Sequence, residues 1–121
     1  MKINTFLTFI CFAIAGLSAF GFFIANSGDT YRILITAASG ISLFVTLGGM
    51  IALSSSNRGS MINIRVVSGA FFLALLVNHI VFSFIGVKFT PYIIITGVLL
   101  LLYMLIYYVI VRALKNNEGS V

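Results

Sequence analysis

Residues Val66–Val87 read VVSGAFFLALLVNHIVFSFIGV, a run of 22 residues with no formal charge apart from whatever His79 holds. A helix rising about 1.5 Å per residue carries such a run ~33 Å, roughly the hydrocarbon thickness of a bilayer. Asn78-His79 is the most polar pair inside any apolar run of the chain. The stretch reads as a membrane-spanning helix, with the remaining apolar runs packed around it.

Composition agrees. The chain has 121 residues, 61% of them hydrophobic and 7% charged. A soluble domain carries roughly 25% charged residues. Too little polar surface is present to cover a water-soluble globule, so the surrounding solvent is lipid. Seven Lys/Arg against Asp29 and Glu118 give a net charge of +5. These cations are scattered among loops and termini, without the basic patch that nucleic acid requires. They read instead as orientation signals beside a membrane. Cys11 is the single cysteine and lies mid-run, which excludes an intrachain disulfide and suggests a buried thiol.

Three further runs complete the pattern, and spans are expected near residues 3–25, 33–53, 64–87 and 91–113. The first, Ile3–Ala25, follows Lys2 in the manner of a signal peptide, but its 23 residues exceed an h-region of ~7–15. It is expected to be an uncleaved span. Ala15/Ala19 and Gly21/Ala25 form small-xxx-small pairs that admit a close neighbour. Asn26–Arg32, NSGDTYR, reads as a turn, with Asp29 or Thr30 as the N-cap of the next helix. The second run holds Thr36, Ser39, Gly40, Ser42, Thr46, Gly48 and Gly49, where the glycine pair offers either a packing surface or a local bend. Ser54–Asn63 reads as a flexible loop. Thr90-Pro91 reads as a helix start, with Thr90 as cap and Pro91 as first helical residue. Tyr31, Tyr92, Tyr107 and Tyr108 read as interfacial anchors, and Asn116–Val121 as a frayed end.

Short connections between four spans make sequential helices antiparallel neighbours. The fold class is therefore all-α: one transmembrane domain over residues 1–121, a four-helix up-down-up-down bundle. Lys2, Arg58, Arg65, Arg112 and Lys115 fall on one side, and Arg32 and Lys88 on the other. That excess predicts an integral protein of a bacterial cytoplasmic (inner) membrane, with both termini in the cytoplasm. A faint echo at an offset of 60 residues aligns Thr30, Ile33, Ile35 and Thr36 with Thr90, Ile93, Ile95 and Thr96. It would fit a duplicated helical hairpin.

On the third helix Ala70, Ala74 and Asn78 recur every four residues and form one stripe, with His79, Ser83 and Gly86 beside it. The small residues would lead a partner helix to the amide, and His79 and Ser83 are spaced to bond to each other. An unpaired amide or imidazole facing lipid is costly, so Asn78 and His79 should face the bundle interior or another protomer. Two roles fit. They are interhelical hydrogen-bond contacts, or they line a polar path with Ser83 and the helix 2 hydroxyls of Thr36, Ser39, Ser42 and Thr46. Ala15, Ala19, Gly21, Gly48, Gly49, Ala70 and Ala74 are the expected helix-packing positions.

No acid lies in any span, which disfavours proton- or cation-coupled transport of the carboxylate type. No nucleophile–base set, paired carboxylates or metal-ligand cluster can be assembled, so no catalytic, cofactor-binding or metal residue is expected. Two functions follow as expectations. The first is a non-enzymatic membrane subunit or scaffold, working by helix packing with itself or with other membrane subunits in the bilayer. The alternative is an oligomeric channel or small transporter.

Overall fold

The structure, a computed structural model, describes residues 2–54 and 58–119, with side chains over 3–53 and 62–113. It is an all-α bundle of four long apolar helices, each able to cross a bilayer. Helix α1 covers Thr5–Ala25, α2 Arg32–Leu47, α3 Arg58–Ile85 and α4 Phe89–Gly119. Helix α2 continues as a π turn over Gly48–Ala52.

Local chemistry sets the boundaries. Asn4 caps α1, its side-chain oxygen accepting from the Leu7 N–H at 3.1 Å. At the far end the Asn26 N–H donates to the Phe22 carbonyl at 3.0 Å. Gly28 (φ 88°) makes the turn that follows. Asp29 does not cap α2; Tyr31 stands at that position without a side-chain bond. Its carboxylate instead accepts from the Tyr31 N–H at 2.8 Å and from the Val87 N–H at 3.0 Å, tying the α1–α2 turn to the α3–α4 turn. Arg32 folds back on α1, its guanidinium 3.5 Å from the centre of the Phe23 ring.

Several expected boundaries move. Helix α3 begins at Arg58, so most of the supposed loop 54–63 is helical, while residues 55–57 lie outside the described residues. It ends at Ile85, because Gly86 adopts φ 92°, a left-handed conformation that closes a helix. Helix α4 starts at Phe89, which places Thr90 and Pro91 within its first turn rather than at cap and first position. Proline is tolerated there because those N–H groups have no intrahelical acceptor. Helix continues through Asn116 to Gly119, where fraying was expected; Ser120 and Val121 lie outside the described residues.

A two-residue antiparallel ladder joins Lys2–Ile3 to Leu53–Ser54, and the Asn4 N–H donates to the Ala52 carbonyl at 2.8 Å. This strap was not expected from the sequence. It holds the N-terminal segment and the end of α2 at one end of the bundle. Asp29 and Val87 meet at the other, as an up-down-up-down course requires.

Helix α2, not α3, is the central element. Of its apolar window 39% is buried, against 28% for α3, 17% for α1 and 11% for α4. Helix α1 packs chiefly on α2, α2 also on α3, and α4 chiefly on α3. The α2 face that turns inward is Ile35, Ser39, Ser42, Leu43, Thr46 and Leu47. Ala15, Phe22, Leu43 and Leu75 form one apolar cluster, and Ile35, Phe82, Val87 and Tyr92 another. Among the residues paired by the 60-residue echo, Ile33 and Ile93 share an exposed environment. The echo fails at Ile35, which is fully buried, and Ile95, which is exposed.

The π turn carries the closest approach in the fold. Gly49 is buried, and a Cβ there would collide with the Tyr103 and Ser68 hydroxyls, which bond to each other at 2.8 Å. Gly48, its neighbour, faces open space. Gly49→Ala is therefore expected to lower stability by about 1–3 kcal/mol, through forced displacement and loss of that bond. Gly48→Ala should stay within about 0.5 kcal/mol. Reversible unfolding in mixed micelles distinguishes the two.

Candidate functional site

Helix periodicity brings the inward hydroxyls of α2 against α3 and α4. The His79 ring is fully buried and bridges three helices. Its Nε2 lies 2.9 Å from the Ser42 Oγ on α2, and its Nδ1 lies 2.9 Å from the Tyr92 hydroxyl on α4. The Ser42 hydroxyl also donates to the Ser39 carbonyl at 3.3 Å. A neutral imidazole offers one donor and one acceptor. The arrangement that leaves each proton an acceptor has Nε2–H donating to Ser42 and the Tyr92 hydroxyl donating to Nδ1. Phe22 from α1 meets the ring edge-on, with centroids 5.6 Å apart.

Two more ties surround this centre. The Asn78 amide donates to the Thr96 hydroxyl on α4 at 2.9 Å. The Asn26 amide donates to the Ser83 hydroxyl at 3.1 Å, and Ser83 in turn donates to the His79 backbone carbonyl at 2.8 Å. Ser83 thus bonds the backbone of His79, not its ring as the spacing suggested. Among the described residues every buried side-chain nitrogen and oxygen has a partner. Ligand-bearing chemistry does not gather here: among the described residues no three His, Cys, Asp or Glu come together.

The other candidates divide. Thr36 donates to the Arg32 carbonyl at 2.7 Å, Ser39 to Thr36 at 3.0 Å and Thr46 to Ser42 at 2.9 Å. These hydroxyls serve their own helix, a common arrangement for Ser and Thr in dry surroundings. Ala15 is buried, and Ala19 closes on Gly40, where an added Cβ would lie 3.3 Å away. Ala70, Ala74 and Gly21 lie on the exposed surface of the bundle, so the Ala70–Ala74 stripe does not lead an internal partner to Asn78. Tyr92 is fully buried and is not an interfacial anchor; Tyr31 and Tyr108 are exposed.

Asn26, Ser68, Tyr92, Thr96 and Tyr103 join these ties without having been expected from the sequence. A signal was present: Tyr92, Thr96, Tyr103 and Tyr107 recur at helical spacing and share one face of α4.

Apolar grooves open sideways on the bundle, among them one of about 260 Å³ beside Thr5, Phe9 and Phe12 on α1. A larger one of about 490 Å³ runs between α1 and α3, past Gly21, Ala25, Ile80 and Ser83. Another of about 340 Å³ lies between α1 and α2, past Gly16, Ala37 and Gly40. A further one of about 250 Å³ lies between the π turn and α4, beside Ile3. No protein-family model, curated protein or solved structure matches the chain.

Interhelical hydrogen bonds in membranes contribute about 0.6 kcal/mol each and seldom over ~1.7. Tyr92→Phe and Ser42→Ala should each cost roughly 0.5–2 kcal/mol on that scale. Thr36→Val should cost less than about 0.5 kcal/mol, because its hydroxyl bonds within one helix. In a His79→Leu background the Tyr92→Phe penalty should fall away. A double-mutant cycle by unfolding in micelles measures that coupling.

Proposed function

We propose that the chain is a non-enzymatic membrane subunit or scaffold that works by packing its outer helix faces against other helices. The observation that carries this reading is the direction of its polar groups. Among the described residues the buried ones are satisfied within the chain, leaving an exterior of apolar side chains interrupted by small ones. Grooves lined by Gly16 and Gly40, or by Gly21 and Ala25, suit close approach of a partner helix, where van der Waals contact drives association.

An oligomeric pore has less support. Its path would need the α2 hydroxyls and the Asn78-His79 pair to face water, and each of these groups is spoken for inside the bundle. The proposal includes placement in a bacterial cytoplasmic membrane with both termini inside, resting on five Lys/Arg at one end against two at the other.

The native mass in lipid nanodiscs tests the reading. Two or more copies, or a co-purifying membrane protein, is the expected result; a lone chain contradicts it. Gly21→Leu, whose Cβ meets nothing within 4 Å in the single bundle, should weaken assembly while leaving helicity unchanged.

A further inference from the structure

Like the groove beside Thr5 and Phe9, the groove between the π turn and α4 lies toward the strap. Its walls include Ile3, Phe44, Gly48, Leu53, Met104 and Tyr107, so it reaches the end of the bundle where the strap closes. That is the cationic end: Lys2, Arg58, Arg65, Arg112 and Lys115 all belong to it by position along the helices. Ile64, beside Arg65, packs with Leu53 against Tyr107, Ile110 and Val111, the last adjoining Arg112. Arg65 and Arg112 are both exposed. Each arginine thus follows directly in sequence a residue that packs with Leu53 and Tyr107 of the groove wall.

We propose that this groove seats one acyl chain of an anionic phospholipid, whose headgroup phosphate is held at the membrane surface by Arg65 and Arg112. Charge complementarity selects the occupant: a basic segment beside a bilayer attracts anionic headgroups. An apolar helix from a partner would gain nothing from the cations, and a zwitterionic lipid would gain less. The floor also has room, since a Cβ added at Gly48 meets nothing within 4 Å. The site goes beyond the subunit reading and does not depend on it, because it is complete within one chain.

Native mass spectrometry of the full chain released from equimolar phosphatidylglycerol and phosphatidylcholine tests it. One retained phosphatidylglycerol per chain is expected. Arg65→Gln and Arg112→Gln should each reduce the preference about fivefold. Gly48→Leu fills the groove without altering charge and should abolish retention, whereas Gly21→Leu, in a different groove, should not. Equal retention of both lipids by the unaltered protein, or undiminished retention by Gly48→Leu, overturns the proposal.

A second measurement covers a Gly48→Leu protein that fails to fold. The chain has no tryptophan. Met104→Trp therefore places a single indole in the groove. Bromine-labelled phosphatidylglycerol should quench it more strongly than bromine-labelled phosphatidylcholine at equal mole fraction; equal quenching overturns the proposal. Assembly in nanodiscs is a separate readout, so a failed lipid site and a failed subunit reading remain distinguishable.

Discussion

A polar side chain inside a bilayer has no water to fall back on, and this constraint shapes the whole bundle. Each buried hydroxyl, amide or imidazole must find its partner in the protein or bear the full cost of desolvation. The His79 ring is the largest such obligation, and it is met from two helices at once, by Ser42 and Tyr92. The relative placement of α2, α3 and α4 follows, because a ring with two fixed nitrogens cannot satisfy both if either neighbour slides by a helical turn.

Helix α2 holds the centre because its inward side chains are short. Ser39, Ser42, Thr46 and Gly49 let neighbouring backbones approach, and the hydroxyls of the first three bond to nearby carbonyls of their own helix. The π turn extends this close contact to Tyr103 and Ser68 at the strap end. Helices α1 and α4, with long apolar side chains outward, then form the lipid-facing flanks. Asp29 ties the two turns at the far end, so one carboxylate does for the loops what His79 does for the helices.

The four spans and their alternating course were legible because twenty or so apolar residues between short polar turns admit little else. The inward turn of His79 was legible for the same energetic reason. Its partners were not. Tyrosine commonly sits at headgroups, and Tyr92 near a helix start invited that reading; only the α4 face shared with Thr96 and Tyr103 hinted otherwise. The primacy of α3 was misjudged because the polarity of its Asn78-His79 pair outweighed the less conspicuous small residues of α2. The strap over Lys2–Ile3 and Leu53–Ser54 left no trace, since two residues of ladder carry no periodicity.

The bundle is pinned by a dry imidazole shared between Ser42 and Tyr92, and His79 is the chain's single histidine. Solid-state nitrogen NMR of histidine-labelled protein in lipid therefore observes this ring alone. Two distinct resonances are expected, one protonated and one accepting, with slow exchange against deuterated water and a changed acceptor signal in Tyr92→Phe. A ring that exchanges rapidly with water, or whose two nitrogens ignore loss of the Tyr92 hydroxyl, would contradict the central claim.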